Sequence, residues 1–152
     1  MLFRSGRDAL AVASTFPDAT FRRVTRKPIQ ARALVFPRIA RIVVAGVARI
    51  VAAASAARIG LTMDKLDDLA LAIDEACGSL LTTGTLSALE CSVGADAESI
   101  HVRVAALDAP AEGWPPADWG ETLEGIVLSG ATTSAAPLVD DGVPAIRFSI
   151  SA

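Results

Sequence analysis

The chain has 152 residues, enough for one domain with a proper hydrophobic core and short for two. Hydrophobic residues make up 52% of it and the mean hydropathy is positive, which excludes a disordered class. Fourteen basic and seventeen acidic residues leave a net charge of −3, so bulk charge gives no reason to expect direct nucleic-acid binding.

Most of the basic residues, from Arg4 to Arg58, precede residue 60, and most acids follow it. Residues 1–30 contain Pro17 and Pro28 and no sustained periodicity, so they read as a basic arm, disordered or non-native, outside the fold. Met1-Leu2-Phe3-Arg4-Ser5 matches what a common sequencing adapter encodes behind a start codon. A folded domain is expected over 31–152.

Residues 31–36 read as a first strand, and Pro37 suits the first turn of a helix. Ile39, Ile42, Val43, Val47, Ile50 and Val51 then recur at the helical period to about Arg58, where Gly60 supplies a stop. Residues 42–57 come nearest to a membrane span but fall short of the roughly 20 apolar residues required and carry Arg49 in the middle. A core helix is the reading, with no membrane partner.

A second helix is expected from Met63 to about Leu81. Leu66, Leu69, Ala70, Ile73, Ala76, Cys77, Leu80 and Leu81 form its apolar stripe. Thr62 suits the N-cap, and Asp64, Asp67 and Asp68 favour the positive end of the helix dipole. Asp74 and Glu75 lie past the first turn, where the dipole no longer favours acids. Glu75 and Ser79 are i, i+4 neighbours and share one flank.

Past Gly84 the period changes to two. Leu89, Cys91 and Val93, then Ile100, Val102, Val104 and Ala106, read as a hairpin turning around residues 94–96. His101 falls on its solvent-facing phase. Cys77 and Cys91 read as buried free thiols, as suits a reducing cytoplasm, and two cysteines make no metal cluster. Residues 108–118 are a loop by proline content. A third helix is expected over 119–128, with Trp119, Leu123, Ile126 and Val127 inward. A last hairpin turns at Asp140-Asp141-Gly142, with Ile146, Phe148 and Ile150 lining its second strand. This order predicts an α+β fold: a two-layer sandwich with a mostly antiparallel, mixed sheet and helices on one face.

Asp68-Leu69-Ala70-Leu71-Ala72-Ile73-Asp74-Glu75-Ala76-Cys77-Gly78-Ser79 resembles the second helix of the anti-sigma regulatory factors. These are the serine-protein-kinase branch of the histidine-kinase/Hsp90-like ATPase superfamily, and their helix typically reads Asp-Leu-x-Leu-Ala-Val-x-Glu-Ala-x-x-Asn. Trp119 to Ile150 is similar to the family's last helix and hairpin. The resemblance implies the histidine-kinase-like ATPase fold, with Glu75 as general base of phosphotransfer. Ser79 stands where the family has its magnesium-binding Asn, and Asp108 where an Asp reads adenine. Gly113 and Gly120 are the glycines left for the nucleotide. Ala109-Pro110-Ala111 replaces the glycine turn, since proline fixes φ and lacks an amide hydrogen, and Trp114-Pro115-Pro116-Ala117-Asp118 replaces the lid.

A degenerate, actinobacterial-type member is therefore implied: a cytoplasmic anti-sigma factor that sequesters an alternative sigma factor and is released by an anti-anti-sigma protein. ATP and magnesium binding would be weak or lost. An active serine/threonine kinase of that partner, and an orphan interaction domain on the same fold, are the alternatives. The expected partner anchors are Arg38, Arg41 and Arg58 on the first helix and Trp114 on the loop. The Ala/Val-rich helix at 39–57 is compatible with a homodimer.

Overall fold

The computed structural model describes residues 29–34, 46, 50, 52–81 and 88–152. Five strands form one sheet: β1 (Ile29–Leu34), β2 (Ala88–Ala95), β3 (Ser99–Ala106), β4 (Ser134–Asp140) and β5 (Val143–Ser151). Their order across the sheet is β1-β2-β3-β5-β4, and every neighbouring pair is antiparallel. The mixed sheet expected from the sequence is thus replaced by an antiparallel one. The helical crossover from β3 to β4 skips one place, and β5 folds back from β4 to fill it, so no parallel neighbours remain among the described residues. β1 starts before the expected strand, so Ile29 and Gln30 belong to the sheet rather than to the arm. Residues 1–28 and the proposed anchors Arg38 and Arg41 lie outside the described residues.

Three helices accompany the sheet. In α1 the described helical residues are 46, 50 and 52–59; Ala52 and Ala56, one turn apart, are fully buried. Gly60, at φ +73°, ends it as glycine readily can. α2 spans Met63–Leu81, as its periodicity predicts. Thr62 caps its start, accepting the Lys65 amide on Oγ1 at 3.4 Å. Leu69, Ile73, Ala76, Cys77 and Leu80 are each at most 2% exposed. They share a core with Ile100, Val102 and Val104 of β3 and Ile146, Phe148 and Ile150 of β5.

α3 departs from expectation. A single 3-10 turn, Trp119–Glu121, comes first; Thr122 then caps α3 (Leu123–Ala131) by accepting the Gly125 amide. Gly125, Leu128 and Ala131 face inward, whereas Leu123 is 71% and Ile126 56% exposed. Trp119 is inward as expected and Val127 is half-buried, but Leu123 and Ile126 are out of phase, because the backbone at Gly125 lies against the Trp119 carbonyl. A Cβ there would stand 2.0 Å from that oxygen. Only glycine permits this approach, and it turns Leu123 and Ile126 away from the core.

The β4–β5 turn is a two-residue one at Asp141 (φ 51°) and Gly142 (φ 79°), as read from the sequence. The β2–β3 turn lies further on than expected. Gly94 is still in β2, opposite His101, and the chain reverses at 96–99, where Asp96 Oδ1 accepts the Glu98 and Ser99 amides at 2.9 and 2.8 Å.

The sheet face away from the core carries a charged network. Arg103 Nη1 donates to Glu90 Oε1 at 3.0 Å and its Nε to Asp140 Oδ2, which also accepts from Arg147 Nη2 at 2.9 Å. Four side chains thereby tie β2, β3, β5 and β4 together. Burial pushes the Asp140 carboxyl up, but the hydrogen bonds and charges of Arg103 and Arg147 outweigh it and hold the group below its usual range. His101, expected in solvent, is half-buried with Nε2 2.9 Å from Asp96 Oδ2, and that bond together with the turn amides holds Asp96 low as well.

Two outcomes follow for stability. Gly125→Ala forces Cβ into the Trp119 carbonyl and should cost about 2–3 kcal/mol or more in denaturant unfolding; a neutral effect would show that α3 is not held by this contact. Asp140 has a folded pKa below its unfolded value of about 3.9, so its contribution is complete above that pH and lost as pH falls through the folded pKa. Asp140→Asn should therefore be less stable than the parent by about 3 kcal/mol at pH 7, the gap closing as pH falls from about 3.9 through the folded pKa. A gap that stays constant down to pH ~2 would contradict the assigned network.

Candidate functional site

The C-terminal half of α2, the loop after β3 and the start of α3 enclose a cleft of about 290 Å³. Its lining is Ser79, Pro110, Glu112, Gly113, Trp114, Pro116, Trp119, Thr122 and Glu124. Ser79 reaches it because α2 has already committed its stripe to the sheet, and it is only 7% exposed. Gly113 adopts φ +76° in the loop beside the cleft, a conformation glycine takes readily.

The loop is pinned by its tryptophans. Trp114, followed by a cis peptide to Pro115, donates its indole N–H to the Leu138 carbonyl of β4 at 2.9 Å. Its backbone N–H is bonded to the Ala111 carbonyl at 3.1 Å, and that of Trp119 to the Pro116 carbonyl at 3.1 Å. The Trp119 carbonyl accepts the Thr122 hydroxyl at 2.7 Å and the Thr122 amide at 3.2 Å. Trp119 is buried in the core, and its indole N–H has no acceptor among the described residues.

Of the residues expected at a nucleotide site, the structure brings Ser79 and Gly113 together. Glu75 is half-buried on the α2 flank, one turn before Ser79, and does not line the cleft. Asp108 is an exposed turn residue after β3, and Gly120 is exposed with open space around it; neither reaches the cleft. Trp114 is buried with its N–H satisfied, so it anchors the loop to β4 and is not a surface anchor for a partner. Arg58 is exposed on α1.

Sequence reasoning missed Glu112, Trp119, Thr122 and Glu124 as lining residues. Glu112 lies inside the proline-rich loop and Glu124 in α3, and no motif or spacing in the sequence joins them. Glu112 and Glu124 are the charged groups of the described lining, and no lysine or arginine accompanies them. Triphosphate recognition requires compensating cations, a metal or a run of free amides. Here two carboxylates repel the anion, and Pro110 and Pro116 withhold their amides. No group of three or more metal-ligating side chains exists among the described residues. The described lining therefore supplies a triphosphate with no cationic side chain of its own.

Cys77 and Cys91 are free and buried, and burial pushes the Cys91 thiol well up, with Cys77 and Glu90 adding to it. A buried thiol held protonated is a poor nucleophile, so Cys91 is a core residue, and Cys77 is one by its complete burial. Among the described residues no helix is long and apolar enough to cross a membrane. No family model matches the chain, and no curated protein matches it.

Titration calorimetry with Mg-ATP should give a Kd weaker than about 1 mM, a binding energy of only ~4 kcal/mol; micromolar binding would contradict the reading of the cleft. The tryptophans should also separate. Trp114→Phe removes a satisfied indole N–H and strands the Leu138 carbonyl, costing about 1–2 kcal/mol beyond the lost contacts, whereas Trp119→Phe removes an N–H that has no acceptor and should cost less. Equal losses in thermal unfolding would contradict the hydrogen-bond assignment.

Proposed function

We propose that this domain is a protein-binding regulator of the anti-sigma type, on a histidine-kinase-like ATPase sandwich whose nucleotide site has decayed. It sequesters an alternative sigma factor, is released by an anti-anti-sigma protein, and works in the cytoplasm. The segment 68–79 carries the reading on the sequence side. α2 packed by one apolar stripe on the face of a sheet is compatible with it.

The observation that supports binding over catalysis is the composition of the cleft beside Ser79. A general base at Glu75 has no substrate phosphate to serve if Glu112 and Glu124 repel the nucleotide and the prolines offer it no amide. What remains is a folded domain able to present surfaces to partners.

Capture with the immobilised domain, against the sigma factors and single-domain anti-anti-sigma proteins of the source genome, tests the reading. A sigma factor should be retained without nucleotide and displaced by the antagonist. Truncating a buried, paired arginine costs about 2–5 kcal/mol, so Arg58→Ala should weaken capture at least tenfold if α1 is an anchor. Failure to retain any sigma factor or antagonist would overturn the regulatory reading, while capture indifferent to Arg58→Ala would remove only that anchor.

A further inference from the structure

The outer surface of the helical layer carries large apolar side chains that nothing in the described fold covers. Met63 is 71% and Leu71 44% exposed on α2, and Leu123 is 71% and Ile126 56% exposed on α3. Met63, Asp67 and Leu71 recur every four residues, opposite the buried Leu69, Ile73, Ala76 and Leu80. Leu123, Ile126 and Gly130 follow at i, i+3 and i+7, opposite Gly125, Leu128 and Ala131. α2 and α3 pack against each other and turn their inner stripes to one core, so both outer stripes face away from it.

The charge on the elements that carry these side chains is mostly negative, with Lys65 and Arg58 as the cations of α2 and of the described part of α1. α2 contributes Asp64, Asp67, Asp68, Asp74 and Glu75 against Lys65 alone. The 3-10 turn and α3 add Glu121 and Glu124 and no cation. An apolar strip set between carboxylates selects its occupant by charge. A second copy would bring this acidic face against itself, and an anionic membrane surface would be repelled. A helix with leucine-like residues on one face and lysine or arginine on the other satisfies both features.

We infer that the outer face of α2 and α3 is a docking surface for a cationic amphipathic helix of a partner protein. The partner's apolar side would lie on Leu71, Leu123 and Ile126, and its cations against Asp64, Asp67 and Glu121. Gly130, with open space where a Cβ would stand, lets the incoming helix approach the α3 backbone closely. The inference rests on the reading of the domain as a protein-binding regulator and names the surface and chemistry of one partner.

Fluorescence anisotropy with two labelled helix-forming peptides tests it, each of about 18 residues or five turns. One places leucine on one face and lysine on the other; its counterpart replaces lysine by glutamate. The full chain should bind the lysine peptide and not the glutamate one. Leu71→Ser and Ile126→Ser, both at exposed positions and checked for retained fold by circular dichroism, should each weaken binding about tenfold. Asp64→Asn with Asp67→Asn should weaken it at low salt, and Asp141→Asn, at the distant β4–β5 turn, should leave it unchanged.

Equal binding of both peptides, or binding indifferent to Leu71→Ser and Ile126→Ser, would overturn the surface. A concentration-dependent dimer abolished by Ile126→Ser would also overturn it, by placing a second copy on this face. A sigma factor whose capture survives both serine substitutions would leave the regulator standing and remove this surface. Selective lysine-peptide binding with no sigma factor captured would support the surface and remove the sigma-factor assignment.

Discussion

The commitment of one stripe of α2 to the apolar face of β3 and β5 decides most of what the rest of the molecule can do. A helix buries roughly a 100° arc. Here that arc is Leu69, Ile73, Ala76, Cys77 and Leu80, set among Ile100, Val102, Val104, Ile146, Phe148 and Ile150. Every other position on α2 follows from it. Ser79 turns into the cleft at the helix end, Glu75 stays on the flank, and Met63, Asp67 and Leu71 face outward. Removing any buried member of that stripe would cost a few kcal/mol, a large fraction of the stability of a domain this size.

A second constraint acts through one backbone oxygen. The Trp119 carbonyl takes the Thr122 hydroxyl and amide and lies against Gly125. That cluster joins the loop to α3, and it lies beside the cleft that Trp119 and Thr122 line. The same contact leaves Leu123 and Ile126 on the surface. One wall of the small cleft and the exposure of Leu123 and Ile126 thus depend on the same local geometry. On the opposite sheet face, Glu90, Arg103, Asp140 and Arg147 hold four strands in register with ion pairs where an antiparallel sheet is ordinarily solvated.

The parts of the fold legible in the sequence were those governed by short-range chemistry. The α2 boundaries followed from a threonine cap and an unbroken 3.6-residue period, and the β4–β5 turn followed from Asp-Asp-Gly, whose last two residues adopt positive φ. α3 was misread because nine residues hold too little periodicity to overrule a contact with the preceding turn. Trp114 was assigned to a partner surface because nothing in its neighbours reveals a hydrogen bond to Leu138, twenty-four residues away. The Arg103 network was unreadable for the same reason: alternation places Glu90, Arg103 and Arg147 on one face, but only strand register pairs them. At the candidate site the spacing of Glu75 and Ser79 was visible, and the pairing of Ser79 with Glu112 and Glu124 across the cleft was not.

The account turns on whether this domain answers to a nucleotide or only to proteins. Amide hydrogen exchange, measured residue by residue with and without millimolar Mg-ATP, separates these directly. Unchanged protection over 75–79 and 110–124 is the predicted result, because the cleft sets Glu112 and Glu124 against the phosphates and its prolines carry no amide hydrogen to donate. Slowed exchange confined to those two segments would contradict it and make the cleft a working nucleotide site.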